Sequence, residues 1–459
     1  MRKLLFATAL FALVAAVAVA QPRVYYVELK EGEAIESQPI KEYEQYASEQ
    51  RAENFKIYRD IEFQTIEGVG ATFNEIGAVA WMTLPESERG TIMQTLFSED
   101  GANFSFCRTA LGASDFGVDA YSYSEVAGDY KMEHFSIERE RSSVIPYIQT
   151  AIKYNPEMKL FASPWSPPAW MKYSNKMDGG RDMPEKNRLI DDPKIYKAYA
   201  LYFSKYVEAY AAEGITVDRI VVQNETDIST KYPSCFLSPE KMYELVANYI
   251  RPQFKKSKLK TGIWAGTFRT AGDIHAIDFV SNPKHLEVVD GVGIQYTGAQ
   301  YISDMKHFLG DKPIIHTESK CFNGKNSVEQ AVSRFSEIAS YINNGTTNFA
   351  YWNMILDETT ESGWGWKQNS LININRTTGE VSYNPDYAVM ALISRFMQPG
   401  AVRVGSYVRG DAMTIKSGDK MHIFVDNKSD EVKVISCREG DEVVATAVVP
   451  VRCVAVIVY

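Results

Sequence analysis

The sequence predicts an α/β chain: a (β/α)8 TIM barrel carrying a side β-sandwich built from both chain ends. Three observations predict it. Between residues 66 and 398, short apolar runs alternate with amphipathic stretches of helical period, the pattern of βα units around a parallel sheet. After Pro399-Gly400 the texture changes to β-branched runs separated by polar turns, which reads as antiparallel sheet. The chain has 459 residues, of which 45% are hydrophobic and 23% charged, enough to build a barrel with a second β-region.

Taken in order, residues 1–20 form a charged start at Arg2 and Lys3, an apolar run, and the small residues Ala18-Val19-Ala20. That is the layout of an export signal cleaved before Gln21, so a secreted or periplasmic protein is expected. The run is at the short end for a membrane span, no cysteine near the cut suggests a lipid anchor, and no second apolar run of about 18 residues follows. Residues 21–65 hold the strand-like Val24–Val27 and Phe55–Phe63, which are expected to join the C-terminal β-region. The barrel strands are expected at 67–73, 103–108, 158–163, 219–224, 261–265, 291–295, 313–317 and 348–352. Helical period is clearest at 195–211, where apolar or aromatic residues recur at 195, 198, 199, 202, 203, 206, 207, 210 and 211. Residues 399–459 supply runs at 413–415, 421–425, 432–435, 443–449 and 451–458; five strands rarely close a sandwich alone, which is why the N-terminal strands are enlisted.

Composition narrows the function. The formal charge is −9, and removal of Arg2 and Lys3 with the signal would make it −11; an acidic chain without a basic stripe is a poor nucleic-acid binder. The six histidines are dispersed and the five cysteines (Cys107, Cys235, Cys321, Cys437, Cys453) show neither metal spacing nor a disulfide framework, so no metal and no cofactor are expected. A Cys437–Cys453 bridge is an open alternative to free buried thiols. Aromatics reach 12%, with 27 Tyr and 7 Trp, which suits flat apolar platforms for sugars as well as ordinary packing.

In a barrel, chemistry collects at the C-terminal ends of the strands. Those ends carry Asn74-Glu75, Arg108 with Asp115 nearby, Trp165 within PWSPPAW, Gln223-Asn224-Glu225, Gln295-Tyr296, His316-Thr317-Glu318 and Tyr351-Trp352-Asn353. A lone strand-end glutamate is usually a salt-bridged anchor. Two of them on opposed strands, Glu225 after the fourth and Glu318 after the seventh, instead fit glycoside hydrolysis, which needs one carboxyl to protonate the departing oxygen and another to attack or stabilise the oxocarbenium-like carbon. Asn224, beside the first, would hold a sugar 2-hydroxyl. Arg108 is open to partnership with Glu75 or Asp115, or to setting the charge of Glu318. His316, two residues before Glu318, is expected inside the barrel, either tuning that carboxylate or serving as a core histidine. Of Trp364 and Trp366, one is expected to be a sugar platform.

The segments GVGATFNEIG (68–77), CRTALGASDF (107–116), SPWSPPAWMK (163–172), VVQNETD (221–227), IIHTESK (314–320), YWNMILDE (351–358) and SGWGWKQNSLI (362–372) together resemble glycoside hydrolase family 30, which includes glucosylceramidases and endo-β-1,6-glucanases. The resemblance runs in chain order over about residues 60–405. It implies a barrel with a side β-sandwich, retention of anomeric configuration and no cofactor. It also implies Glu225 as acid/base, Glu318 as nucleophile, and Arg108, Asp115, Trp165, Asn224, Tyr296 and Trp352 as substrate-pocket positions, to which Trp366 is added from the loop reading. The family often has Pro after the acid/base, where this chain has Thr226.

The expected substrate is carbohydrate, a β-glucan with β-1,6 linkage cut internally, acted on by a monomer without a stable membrane anchor. The loop Gly363–Gln368 resembles the glucanase branch, and the acidic charge disfavours anionic bilayers. Within the family the alternatives are a glucosylceramidase, an exo-β-glucosidase or a β-xylanase. An inverting hydrolase would need a carboxyl gap of about 6.5–9.5 Å, and a non-catalytic sugar binder would be expected to lack one of the two glutamates.

Overall fold

The computed structural model describes residues 21–180, 185–269 and 275–459; the expected export signal lies outside them. Eight parallel strands form the barrel sheet: β1 (Gly68–Phe73), β2 (Phe106–Ala110), β3 (Lys159–Ser163), β4 (Arg219–Val221), β5 (Gly262–Arg269), β6 (Val292–Gln295), β7 (Ile314–Glu318) and β8 (Asn348–Asn353). Their hydrogen-bonded order is β7-β6-β5-β4-β3-β2-β1-β8. All eight expected strands are present, with ends shifted by up to four residues.

The β7–β8 seam closes differently from the others. Thr347 N donates to Ile314 O at 2.9 Å, and higher up the side chain of Asn348 replaces a peptide group. Its Oδ1 accepts from His316 N at 2.8 Å and its Nδ2 donates to His316 O at 2.9 Å. A carboxamide carries the same donor and acceptor as a peptide, so it completes the ladder where the backbones do not meet.

Side chains fill the barrel in layers. Phe106, Phe161, Val221, Trp264, Ile315 and Ala350 form an apolar layer. Two residues further along the same strands come Arg108, Ser163, Thr317 and Trp352, the polar and aromatic layer under the mouth. His316, contrary to expectation, faces away from this interior. Its ring stacks on Phe349 at 4.1 Å and meets Tyr341 edge-on at 4.2 Å, while Nδ1 accepts from Ala350 N at 3.2 Å. It is a core histidine, and burial with nearby Arg334 and Arg108 keeps its pKa well below the ordinary value. The parity argument failed because the register with β6 shifts between His316 and Glu318, a bulge that re-aims the strand end.

Helices sheath the sheet. The longest, Pro193–Ala212, starts with Asp192 accepting from Lys194 N and with Pro193 in the first turn. It buries Ile195, Ala198, Tyr199, Tyr202, Phe203, Tyr206, Val207 and Tyr210 as its period requires, and leaves Ala211 exposed.

The side domain is one nine-stranded sheet in the order 442–449, 433–439, 53–65, 402–407, 412–417, 420–427, 453–458, 23–28, 41–43. The sheet wraps a core to which both of its ends contribute, Val24 from one and Ala445, Ala447 and Val449 from the other. Gln45 bridges the ends by bonding Val448 N and O at 2.8 and 3.1 Å. Arg23–Glu28 pairs antiparallel with Cys453–Val458, and Glu53–Thr65 pairs with Val402–Tyr407 and with Lys433–Glu439. Both chain ends therefore build this domain. Val402–Tyr407, with Arg, Gly and Ser interrupting its apolar residues, escaped the sequence reading. All five cysteines are free and buried, Cys437 and Cys453 included. Among the described residues no helix is long and apolar enough to cross a membrane.

Candidate active site

A pocket of about 290 Å³ opens at the C-terminal ends of the barrel strands. It is lined by Asp115, Trp165, Asn224, Glu225, Thr230, Lys231, Tyr232, Tyr296, Glu318, Trp366 and Gln368. Thus seven of the nine residues singled out from sequence face one cavity. The other two, Arg108 and Trp352, are fully buried and support it.

Arg108 organises that support. Nη1 donates to Glu318 Oε2 at 2.7 Å and to Thr317 O at 3.0 Å; Nη2 donates to Asn224 Oδ1 at 2.8 Å and Ser163 Oγ at 2.7 Å. Its guanidinium lies 4.5 Å from the Trp165 ring and 5.4 Å from that of Trp352, and the two indoles stack at 5.1 Å. A planar cation with a fixed fork of donors suits these four acceptors beside the indole pair and could not be replaced by the point charge of lysine. Of the partnerships open from sequence, Glu318 is the one formed. Glu75 pairs with Arg139 at 2.7 Å instead, and Asp115 makes no ion pair among the described residues.

Glu318 also accepts from Tyr296 Oη on its Oε1 and from Gln295 Nε2 at 3.3 Å. Burial leaves its pKa raised, and Arg108 and the Tyr296 hydroxyl offset part of that rise. Among the described residues Glu225 has no such cation in contact, and its side chain accepts a single bond, of 3.3 Å from Tyr232 Oη; its N–H donates to Thr267 Oγ1. Burial and the charge of Glu318 push it up to about 7. Two carboxyls in one pocket are thus driven apart in proton affinity, Glu225 holding its proton and Glu318 favoured as the anion. Asp115 is pushed well above the carboxylate range by burial and by both glutamates, and its buried Oδ1 has no partner among the described residues.

Local backbone matches this specialisation. Glu225 and Tyr296 sit at φ of 45° and 52°, the left-handed region that non-glycine residues rarely occupy, and both project into the pocket. Thr226, standing where the family often has Pro, bonds to His275 Nδ1 at 3.1 Å, an anchor proline could not supply.

Asn224 has its amide oxygen occupied by Arg108 and by Thr267 Oγ1 at 3.2 Å, so its remaining hydrogen-bonding capacity is the NH2 group. Trp366 lines the pocket with its ring 5.1 Å from Tyr232 and 6.4 Å from Phe116, whereas Trp364 is not among the lining residues and offers its carbonyl to Lys231. Sequence reasoning missed Ser163, Thr267, Lys231, Tyr232 and Gln368. Ser163 ends β3 and could have been read from strand position, but the contacts of Lys231 and Tyr232 depend on how a loop folds back, which no motif encodes.

Residues 66–264 match the Glycosyl hydrolase family 30 TIM-barrel domain. The chain is 26% identical over 429 residues to the putative glucosylceramidase 3 of Caenorhabditis elegans, covering 86% of this chain and 80% of that one. It is also 26% identical over 399 residues to the endo-1,6-beta-D-glucanase of Neurospora crassa, covering 83% and 81%. In fold it resembles SrfJ from Salmonella typhimurium, with a TM-score of 0.84 at 20% identity over 95% of this chain and 99% of that one. An endo-beta1,6-glucanase of known structure gives 0.81 at 20% identity over 96% and 99%. The chain thus carries a glycoside hydrolase family 30 TIM-barrel domain at residues 66–264 and is a glycoside hydrolase.

Proposed function

We propose that the protein is a secreted, retaining β-glycosidase that cuts β-1,6-linked glucan internally, with Glu318 as nucleophile and Glu225 as acid/base. The observation that carries the catalytic assignment is the asymmetry of the two carboxyls: Glu318 is clamped by Arg108 and Tyr296, and Glu225 is pushed up to about 7. In the first step the Glu318 carboxylate attacks the anomeric carbon while the Glu225 proton passes to the departing oxygen, forming a glycosyl–enzyme ester. With that ester formed, the negative charge that raised Glu225 is gone, its proton affinity falls, and it takes a proton from the water that releases the sugar. The NH2 of Asn224 and the protonated Asp115 are the donors for sugar hydroxyls, with Trp165 and Trp366 as apolar faces.

The glucan reading is supported by relatives named as endo-1,6-beta-D-glucanases from Neurospora crassa and Aspergillus fumigatus, 26% and 27% identical. The pocket adds a rim of Lys231, Gln368 and Trp366, which combines hydrogen-bonding groups with one indole and suits a second sugar. Glucosylceramidase is the second reading, favoured by the four putative glucosylceramidases of Caenorhabditis elegans at 26–28% identity. Chromatography of products from β-1,6-glucan, β-1,3-glucan, xylan and glucosylceramide separates the two. Oligosaccharides released from β-1,6-glucan are expected; release from the lipid or xylan alone would reject the glucan reading.

A further inference from the structure

One buried cation has no place in the chemistry above. Lys172, in the turn that follows β3, is 1% exposed. Its ammonium donates to Ser166 Oγ at 3.1 Å, Met177 O at 2.8 Å and Ser234 O at 2.7 Å, and no carboxylate pairs with it among the described residues. Three donors therefore meet three neutral acceptors. Burying a charge without a counter-ion is costly, and here it pushes the lysine down to about 8. A methionine would fill the same space without that cost, so what distinguishes lysine here is the set of bonds it makes.

Those bonds join two loops at the pocket. Ser166 follows Trp165, a pocket wall, and Ser234 ends the segment Thr230–Ser234. The same seam is stitched by Ser234 N to Met177 O at 3.1 Å and by Gly179 N to Thr230 O at 2.9 Å. On its other face that segment presents Lys231 and Tyr232 to the pocket. Tyr232 supplies the hydroxyl bonded to Glu225 and packs against Trp366, while Lys231 Nζ reaches Trp364 O at 2.7 Å.

We propose that Lys172 is a positioning residue: by tying both loops it holds Thr230–Ser234 as the wall for the leaving sugar and keeps Tyr232 on Glu225. The inference rests on Glu225 being the acid, since a wall that touches the acid stands on the leaving-group side. Its effect should therefore appear in leaving-group discrimination and in the proton affinity of Glu225. That carboxyl is faced by Glu318, Asp115, Asp227, Arg269 and Tyr232, of which the Tyr232 hydroxyl bond lowers its pKa. Loosening Tyr232 raises it.

The test is Lys172→Met in the full chain. Displacement of a positioned group by about 1 Å costs on the order of 10²-fold in rate, so kcat/KM on gluco-oligosaccharides should fall toward that extent. It should fall by a smaller factor on dinitrophenyl β-glucoside, whose departure needs little protonation. The alkaline limb of kcat/KM should move to higher pH. Tyr232→Phe should move it the same way, and the double variant should move it no further, because both act through one bond. Equal losses on both substrates with the limb unmoved would reduce Lys172 to a stabilising residue and overturn the proposal. If Lys172→Met does not fold, Ser166→Ala removes one acceptor and should shift selectivity in the same direction; no shift would likewise overturn it. Glu225→Gln separates the two claims. An alkaline limb that persists there contradicts the acid assignment, whereas a limb lost there and unmoved in Lys172→Met contradicts only the role of Lys172.

Discussion

Glu225 and Glu318 are the same residue type in one cavity, and the roles proposed for them differ through their neighbours. Glu318 has a guanidinium at 2.7 Å and a tyrosine hydroxyl, and Glu225 has one long bond from Tyr232. The sign of the pH dependence follows. As the proposed acid, Glu225 acts in the first step when protonated, so kcat/KM should fall as pH rises through about 7. Replacing Glu318 by Gln removes the contribution of its charge to that shift and leaves burial and the charges of Asp227 and Arg269, so the Glu225 carboxyl, followed by carbon-13 NMR, should titrate at lower pH in that variant. An unchanged titration would mean that the two groups do not interact. Glu225→Ala should lose about 10²–10⁴-fold on poor leaving groups, the usual worth of general acid catalysis, and far less on dinitrophenyl β-glucoside. Equal losses on the two would contradict the acid role. Both glutamates, Arg108 and Asn224 were legible because strand ends in a barrel point to one mouth. Tyr232, Lys231 and Lys172 were not, because their contacts are made between loops whose placement depends on the tertiary fold.

Among the elements, the β7–β8 seam is one where side chains stand in for part of the backbone ladder, Asn348 foremost. Asn348 supplies both a donor and an acceptor to His316, in a buried position. Asn348→Leu keeps the size and removes both, leaving a buried N–H and C=O unpaired at about 1–3 kcal/mol each. The thermal midpoint should drop accordingly, and a midpoint within a degree of wild type would show that the seam is held by other means. The strand itself was legible from its apolar run, but its last turn was not. Period-two alternation put His316 and Glu318 on one face, and the bulge between them reversed that. Bulges leave almost no trace in apolar patterning, so strand-end directions are where such reading fails first. The helix at 193–212 shows the opposite case: the period read at 195–211 agrees with the structure, apart from exposed Ala211.

At the scale of the molecule, the chain passes between barrel and side domain twice: Glu53–Thr65 runs within the nine-stranded sheet and leads directly into β1, and the helix Pro385–Phe396 leads back into that sheet at Val402–Tyr407. The N-terminal strand Arg23–Glu28 covers the edge of Cys453–Val458, and Gln45 ties the sheet's two ends. Deleting residues 21–45 should expose that edge, lower the thermal midpoint and produce aggregation in size-exclusion chromatography. A monodisperse truncated protein with an unchanged midpoint would show the edge to be harmless. That both chain ends enter one domain was readable because five C-terminal runs are too few to close a sandwich; the sixth, Val402–Tyr407, was hidden by its glycine and polar residues. In the proposed reading, this architecture holds two carboxyls at one mouth in different protonation states. The measurement that tests that claim most directly is rescue of Glu318→Gly by azide, with the product followed by proton NMR. The double-displacement account predicts a nearly inactive but folded variant that azide revives on an activated β-glucoside, giving the α-glycosyl azide. Near-wild-type hydrolysis in that variant without azide, or a β-configured azide product, would contradict it.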